Sequence, residues 1–319
     1  MITGGLGMIG SSLAIRLVQQ GAVVRIADKR IPPYGANDFN IREIRDKVEV
    51  YPVDIRDRQG MIPLIRGSEI IFNLAGQVSH NDSLNNPLLD TEINYIGHLN
   101  VMEIVRRENP DIRVIHAGSR LQYGPIHQLP VPESHPQEPL TPYSLNKSAA
   151  ENMYLFYHRI HRVPVVLFRI ANPYGPRGQM RHNKYCMVNW FLRNAMEGGE
   201  ITVFGDGEQV RDYIYIDDLV SALALAGIND RVVGQTLNVG SGEGTRFIDM
   251  VNLILKTAGS GSCRMVPWPE DYINVETGDF IADISRIQSL LEWKPRVSLE
   301  EGIRRTHDYY RIHLRHYIE

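Results

Sequence analysis

The segment Gly5-Leu6-Gly7-Met8-Ile9-Gly10, lying between an apolar start and an amphipathic stretch from Ser11, constrains this chain more than any other feature. Glycines at this spacing let the backbone approach a pyrophosphate. The helix that follows offers free N–H groups and a favourable dipole to anionic oxygens. The motif alone is a weak signal. It is strengthened by Asp28, which ends the next apolar run 18 residues beyond Gly10, near the separation expected for a carboxylate on ribose hydroxyls. Such a carboxylate repels a 2′-phosphate and so favours NAD over NADP, although Lys29 and Arg30 follow at once and leave NADP open. Only Met1 and Ile2 precede the loop. The first strand is therefore expected to be clipped, or the numbered chain to lack N-terminal residues.

The rest of the N-terminal half alternates short apolar runs with amphipathic stretches, the pattern of a doubly wound parallel sheet. Strands are expected at 23–27, 48–52, 70–74, 113–117 and 165–170. Helices are expected at 11–20, 93–107 and 143–161, where apolar residues recur every three or four positions. After residue 172 the pattern becomes irregular. The expected fold is α/β: a Rossmann-type domain over 1–172, joined by a further strand and helix from about 212–240, and a smaller substrate-binding lobe over 173–319.

Tyr143 and Lys147 stand four apart in Thr141-Pro142-Tyr143-Ser144-Leu145-Asn146-Lys147, so they share one helix face. A free phenol titrates near 10 and is a poor base at neutrality, but a neighbouring ammonium favours its ionised form. Tyr143 can then accept a hydroxyl proton during an oxidation. Tyr-x-x-x-Lys is common by chance, and an exposed lysine beside a half-buried tyrosine is the plain alternative.

Charge and cysteine usage exclude several classes. A net charge of -3 and scattered basic residues give no basis for binding nucleic acid or an anionic membrane. Cys186 and Cys263 cannot form a disulfide framework, and no Cys/His spacing resembles a metal site. With no run of about 18 apolar residues and no leader-like start, a cytoplasmic protein is expected.

The sequence resembles the extended short-chain dehydrogenases/reductases nearly end to end. Thr3-Gly4-Gly5-Leu6-Gly7-Met8-Ile9-Gly10 matches that family's cofactor loop, Asp54-Ile55-Arg56-Asp57 its adenine segment, and Asn73-Leu74-Ala75-Gly76 the stretch along the cofactor. Ser119, four residues before Tyr123-Gly124, stands at the catalytic serine position and completes a triad with Tyr143 and Lys147. The segments 169–176 and 205–213 match those that hold a nucleotide diphosphate. The resemblance implies NAD contacts from Gly4, Gly7, Met8, Ile9, Gly10, Asp28, Asp54, Ile55, Leu74, Ala75, Gly76, Asn94, Tyr143, Lys147 and Ile170. It implies substrate contacts from Gln77, Ser119, Tyr143, Asn172, Arg177 and Arg211, no metal, and a homodimer paired through helices. The substrate implied is a nucleotide-diphosphate sugar. Where relatives have a second phosphate-binding arginine this chain has Glu276, for which Arg177, Arg181 and Lys184 are candidate replacements.

The loop after Ser119 narrows the reaction. Dehydratases and decarboxylases of the family carry acidic residues where this chain has Arg120 and Leu121. Without a general acid or base there, deprotonation at a second carbon loses its usual agent. The expectation is a 4-epimerase, with a 2-epimerase of the paratose type as runner-up because 73–78, Asn86-Pro87 and Asn94 resemble that subgroup. His80 is a further candidate facing substrate. A net keto-sugar oxidoreductase and a non-catalytic scaffold remain alternatives. His116, His127 and His135 are expected to be surface or satisfied histidines.

Overall fold

The computed structural model describes residues 1–32 and 34–318. Its centre is a seven-stranded parallel sheet built from β1 (Ile2–Thr3), β2 (Val24–Ala27), β3 (Val48–Tyr51), β4 (Ile70–Asn73), β5 (Arg113–Ser119), β6 (Val165–Ile170) and β7 (Thr236–Val239). The strand order is β7-β6-β5-β4-β1-β2-β3, so connections leave β1 in both directions. In such a sheet the ligand crevice opens at the carboxyl ends of the strands where the order reverses.

Central parallel strands are covered on both faces and read as continuous apolar runs. All of β6, Val-Val-Leu-Phe-Arg-Ile, is buried. Side-chain alternation divides the core in two. Phe72, Ile115 and Phe168 join one apolar cluster. Their neighbours Ile71, Val114 and Leu167 join the other, with Met61, Ile65, Val101 and Ala150.

Elements fall close to where the sequence placed them. The expected 143–161 helix runs Pro142–His161. Thr141 caps it and accepts from the Ser144 amide, Pro142 opens it, and Arg162 closes it in a left-handed conformation at φ 62. The expected 93–107 helix is two segments: a π-helical turn over Glu92–Gly97, then an α-helix over His98–Glu108. Apolar periodicity does not register the extra residue of a π turn, and such turns gather at functional sites.

The C-terminal part returns to the sheet. It contributes β7, hydrogen-bonded to β6, and the helix Ile216–Ile228, which packs on the helix Met8–Gln19. The remainder covers the crevice mouth with the helices Met187–Met196 and Phe247–Ala258 and the paired strands Glu200–Phe204 and Ser262–Val266. Among the described residues no helix is long and apolar enough to cross a membrane, and no group of His, Cys, Asp and Glu is placed to hold a metal.

Candidate active site

A cavity of about 770 Å³ runs along the carboxyl ends of the strands, from the glycine loop to the C-terminal helices. At its cofactor end the loop is shaped by close backbone approach. Gly4 has φ +64, and a Cβ at Gly10 would stand 2.4 Å from the Gly4 carbonyl oxygen. The helix beginning at Met8 has no side-chain cap and no acidic residue in its first turn, so its N-terminal N–H groups are left to a ligand. Gly7 faces the cavity, and a Cβ there would meet only the Gly4 oxygen, at 3.5 Å. These residues fit a dinucleotide pyrophosphate.

Asp28 closes the ribose end. Its carboxylate accepts from the Leu6 amide at 3.0 Å and the Arg30 amide at 2.9 Å, and burial pushes its pKa up. Arg30 itself is drawn away by a bidentate pair with Asp38 at 2.9 and 2.8 Å. Asp54, Ile55, Leu74, Ala75, Gly76 and Ile170 line the same cavity. The Ala75 backbone is fixed on both sides: its amide donates to Thr3 Oγ1 at 3.1 Å, and its carbonyl meets His98 Nε2 at 3.1 Å.

Ser119 ends β5 and begins a short 3₁₀ turn, where Gln122 reaches back to its amide at 2.8 Å. Its hydroxyl lies close enough to the Tyr143 phenol to act against the rise in that phenol's pKa. Lys147 Nζ donates to the Ala117 carbonyl at 3.1 Å and lies 5.9 Å from the Tyr143 ring centre. The three side chains therefore converge on one point of the cavity wall. The expected depression of the Tyr143 pKa is not present. Burial pushes the phenol up to about 12 against the opposing effect of the Ser119 hydroxyl, and the carboxylate of Asp90 pushes in the same direction as burial. Lys147 is itself lowered to about 8 by burial. Desolvation is the largest influence on both groups.

Three expected contacts are placed elsewhere. Gln77 is buried outside the cavity lining, with its amide spent on the Ser79 carbonyl at 2.7 Å. Asn94 lies beneath the wall, donating to the Gln77 carbonyl and to Asp90, both at 3.0 Å. Its Oδ1 has no partner among the described residues and sits where a Cβ on Gly76 would be, at 2.8 Å. Arg177 is turned away from the cavity, paired with Glu43 at 3.3 Å and stacked over Tyr309 at 5.6 Å. Neither Arg177 nor Arg181 lines the cavity, whereas Lys184 lines it and pairs with Asp82 at 2.8 Å. His116 is also a correction. It is buried, with neither ring nitrogen partnered among the described residues.

At the substrate end Asn172, Arg211, His80 and Arg120 line the cavity. Asn172 donates to the Asp212 carbonyl at 2.8 Å and accepts from Arg120 Nε at 3.2 Å. His80 is held neutral, lowered to about 4 by burial and then by Arg120. In the amino-acid sequence Arg120 registers only as the absence of an acid. Its adjacency to Ser119 was the available signal that it enters the site.

Fold and site define the class, a short-chain dehydrogenase/reductase type with a Ser-Tyr-Lys centre beside a dinucleotide loop. Over residues 1–306 the chain matches the family described as GDP-mannose 4,6 dehydratase, and it belongs to that family. Family members are enzymes, among them epimerases, dehydratases and decarboxylases. A UDP-glucose 4-epimerase of Mycolicibacterium smegmatis is 31% identical over 318 residues, covering 98% of each chain. A CDP-paratose 2-epimerase of Salmonella typhi is 28% identical, covering 97% of this chain and 98% of the other. The Thermus thermophilus UDP-glucose 4-epimerase, solved in complex with NAD, superposes with a TM-score of 0.88 at 27% identity, covering 98% of each chain.

Proposed function

We propose that this chain is an NAD-dependent nucleotide-sugar epimerase that transiently oxidises a sugar hydroxyl to a ketone, at C4. One observation carries the reading. Ser119, Tyr143 and Lys147 are assembled at the cavity wall, while the next two positions are Arg120 and Leu121, not acids. The site thus holds the groups for a reversible alcohol oxidation without the usual agent for removing a second proton. NAD, when bound, supplies reversible two-electron oxidation. Tyr143, whose ionisation the adjacent Lys147 ammonium favours against the burial that raises its pKa, takes the proton of the reacting hydroxyl and later returns it. Ser119 donates to the same oxygen and orients it. Lys147 holds a positive charge beside the phenol and binds the nicotinamide ribose, and the loop from Gly4 to Gly10 seats the pyrophosphate.

A second reading, inversion at C2, is supported by the paratose epimerase relative and by the run from Asn73 to Val78. The proposal includes a homodimer, since Leu145, Phe156 and Ile160 are exposed on one helix, and a cytosolic setting, in keeping with the free thiols of Cys186 and Cys263. The test is to identify dinucleotide released from the purified protein and then supply UDP-, GDP-, CDP- and dTDP-sugars. Retained NAD with two epimers at equilibrium and no net NADH absorbance is the expected result. Net NAD(P)H turnover would replace the reading with an oxidoreductase, and no conversion with a scaffold.

A further inference from the structure

Two arginines meet at the substrate end of the cavity, and the chain treats them differently. Arg211 is already neutralised. Its Nη2 pairs with Glu276 Oε1 at 2.5 Å, and its Nη1 donates to the carbonyls of Val210 and Gly278 at 3.0 and 3.1 Å. Arg120 has only neutral partners, the Asn172 Oδ1 at 3.2 Å and the Thr277 hydroxyl at 3.0 Å. Among the described residues no carboxylate lies within ion-pair distance of it.

Glu276 and Asp212 act on Arg120 only from beyond ion-pair distance, and both are engaged elsewhere. Asp212 accepts from the Ser241 amide and hydroxyl, both at 2.7 Å, from the Gly242 amide at 3.0 Å and from the Ala282 amide at 3.1 Å. Glu276 is committed to Arg211, and His80 is neutral. A second, independent feature points to a ligand. Tyr213 is 7% exposed and lines the cavity within the field of both arginines, and its hydroxyl has no partner among the described residues. A desolvated guanidinium and an unsatisfied buried hydroxyl are each costly until something accepts from them. An oxyanion satisfies both at once, and guanidinium geometry suits it.

We infer that Arg120, with the Tyr213 hydroxyl, forms the principal oxyanion-binding subsite for the substrate, in place of the Glu276-neutralised Arg211. This rests on the nucleotide-sugar reading and deepens it. The oxyanion is either the nucleotide's diphosphate or a carboxylate on the sugar. The consequence for specificity is that the anion is gripped by the residue that follows Ser119 in the chain.

The experiment is calorimetric binding to the NAD-loaded protein, using UDP, dTDP, CDP and GDP, then UDP-glucose and UDP-glucuronate, for wild type, Arg120→Met, Arg120→Lys, Arg211→Met and Glu276→Gln. The expected loss for Arg120→Met is about 10- to 100-fold, the size of a hydrogen bond to a charged group, with Arg120→Lys intermediate and Arg211→Met milder. Glu276→Gln is expected to tighten binding by releasing Arg211. It lies at a part-exposed position and keeps the test valid if Arg120→Met does not fold. Equal losses for the free diphosphate and its glucose conjugate place the anion on the diphosphate, and a loss confined to the glucuronate places it on the sugar. Affinities unchanged in both Arg120 variants, or in Glu276→Gln, overturn the inference and leave the epimerase reading standing. Wild-type protein that binds none of these compounds overturns that reading, and the inference with it.

Discussion

Arg169 and Glu151 form a buried ion pair at 2.6 Å that ties β6 to the helix bearing Tyr143 and Lys147. The same carboxylate accepts from Gln122 at 2.8 Å, and Gln122 in turn accepts from the Ser119 amide. One carboxylate thus fixes the serine turn relative to the tyrosine helix. Glu151→Ala leaves Arg169 buried and unpaired, which costs about 3–5 kcal/mol. Urea unfolding is expected to show that loss. A variant as stable as wild type would remove the pair from any structural role.

Asp90 stands behind the triad, fully buried, accepting from Asn146 at 2.8 Å and Asn94 at 3.0 Å. Its negative charge raises the pKa of both Tyr143 and Lys147. Asp90→Asn removes that charge, so both values fall. The acid limb of the kcat/KM profile is expected to move to lower pH, by about one pH unit, the size of a single neighbouring charge. A profile unchanged in position would show that Asp90 does not act on the phenol.

His98 and His116 are buried neutral, His98 lowered to about 3 and His116 well below its usual value, by burial in each case. In the unfolded chain both take up protons as the pH falls through about 6.5. Each therefore contributes stability that is complete above pH 6.5 and is lost as the pH falls toward the folded value. The rate of loss is about 1.4 kcal/mol per pH unit per histidine. His116 stacks on Tyr154 at 4.6 Å. His116→Phe keeps the ring and drops two unpartnered nitrogens, so it is expected to be at least as stable at pH 7 and to lose less stability at pH 5. Urea titrations at the two pH values decide this, and equal slopes for variant and wild type would contradict it.

Gly7 and Gly10 serve different ends. A Cβ at Gly10 runs into backbone of Gly4 and Gly5 at 2.4 and 2.6 Å, whereas one at Gly7 enters the cavity. Gly10→Ala is expected to lower the melting temperature of the cofactor-free protein, for an overpacking cost of about 1–3 kcal/mol. Gly7→Ala is expected to leave that temperature unchanged and to weaken dinucleotide binding. Melting curves and NAD titration of both variants test the division, which fails if the two behave alike.

The parallel sheet, the dinucleotide loop and the pairing of Tyr143 with Lys147 are legible in the amino-acid order, because each depends on short-range spacing. Four residues bring two side chains to one helix face, and glycines at fixed intervals bend one loop. Val165–Ile170 was legible as a central strand because burial on both faces leaves an uninterrupted apolar run. Where side chains point, and how dry they are, is set by packing between distant segments. Gln77 and Arg177 sit in matching segments yet turn away from the cavity, toward Ser79 and Glu43. Arg211 keeps its expected place but is paired with Glu276, 65 positions along the chain, while Arg120 lines the cavity without a carboxylate partner among the described residues. The phenol of Tyr143 is raised because residues from several elements exclude water around it. Desolvation and ion pairing depend on contacts between distant segments, and no local pattern encodes them.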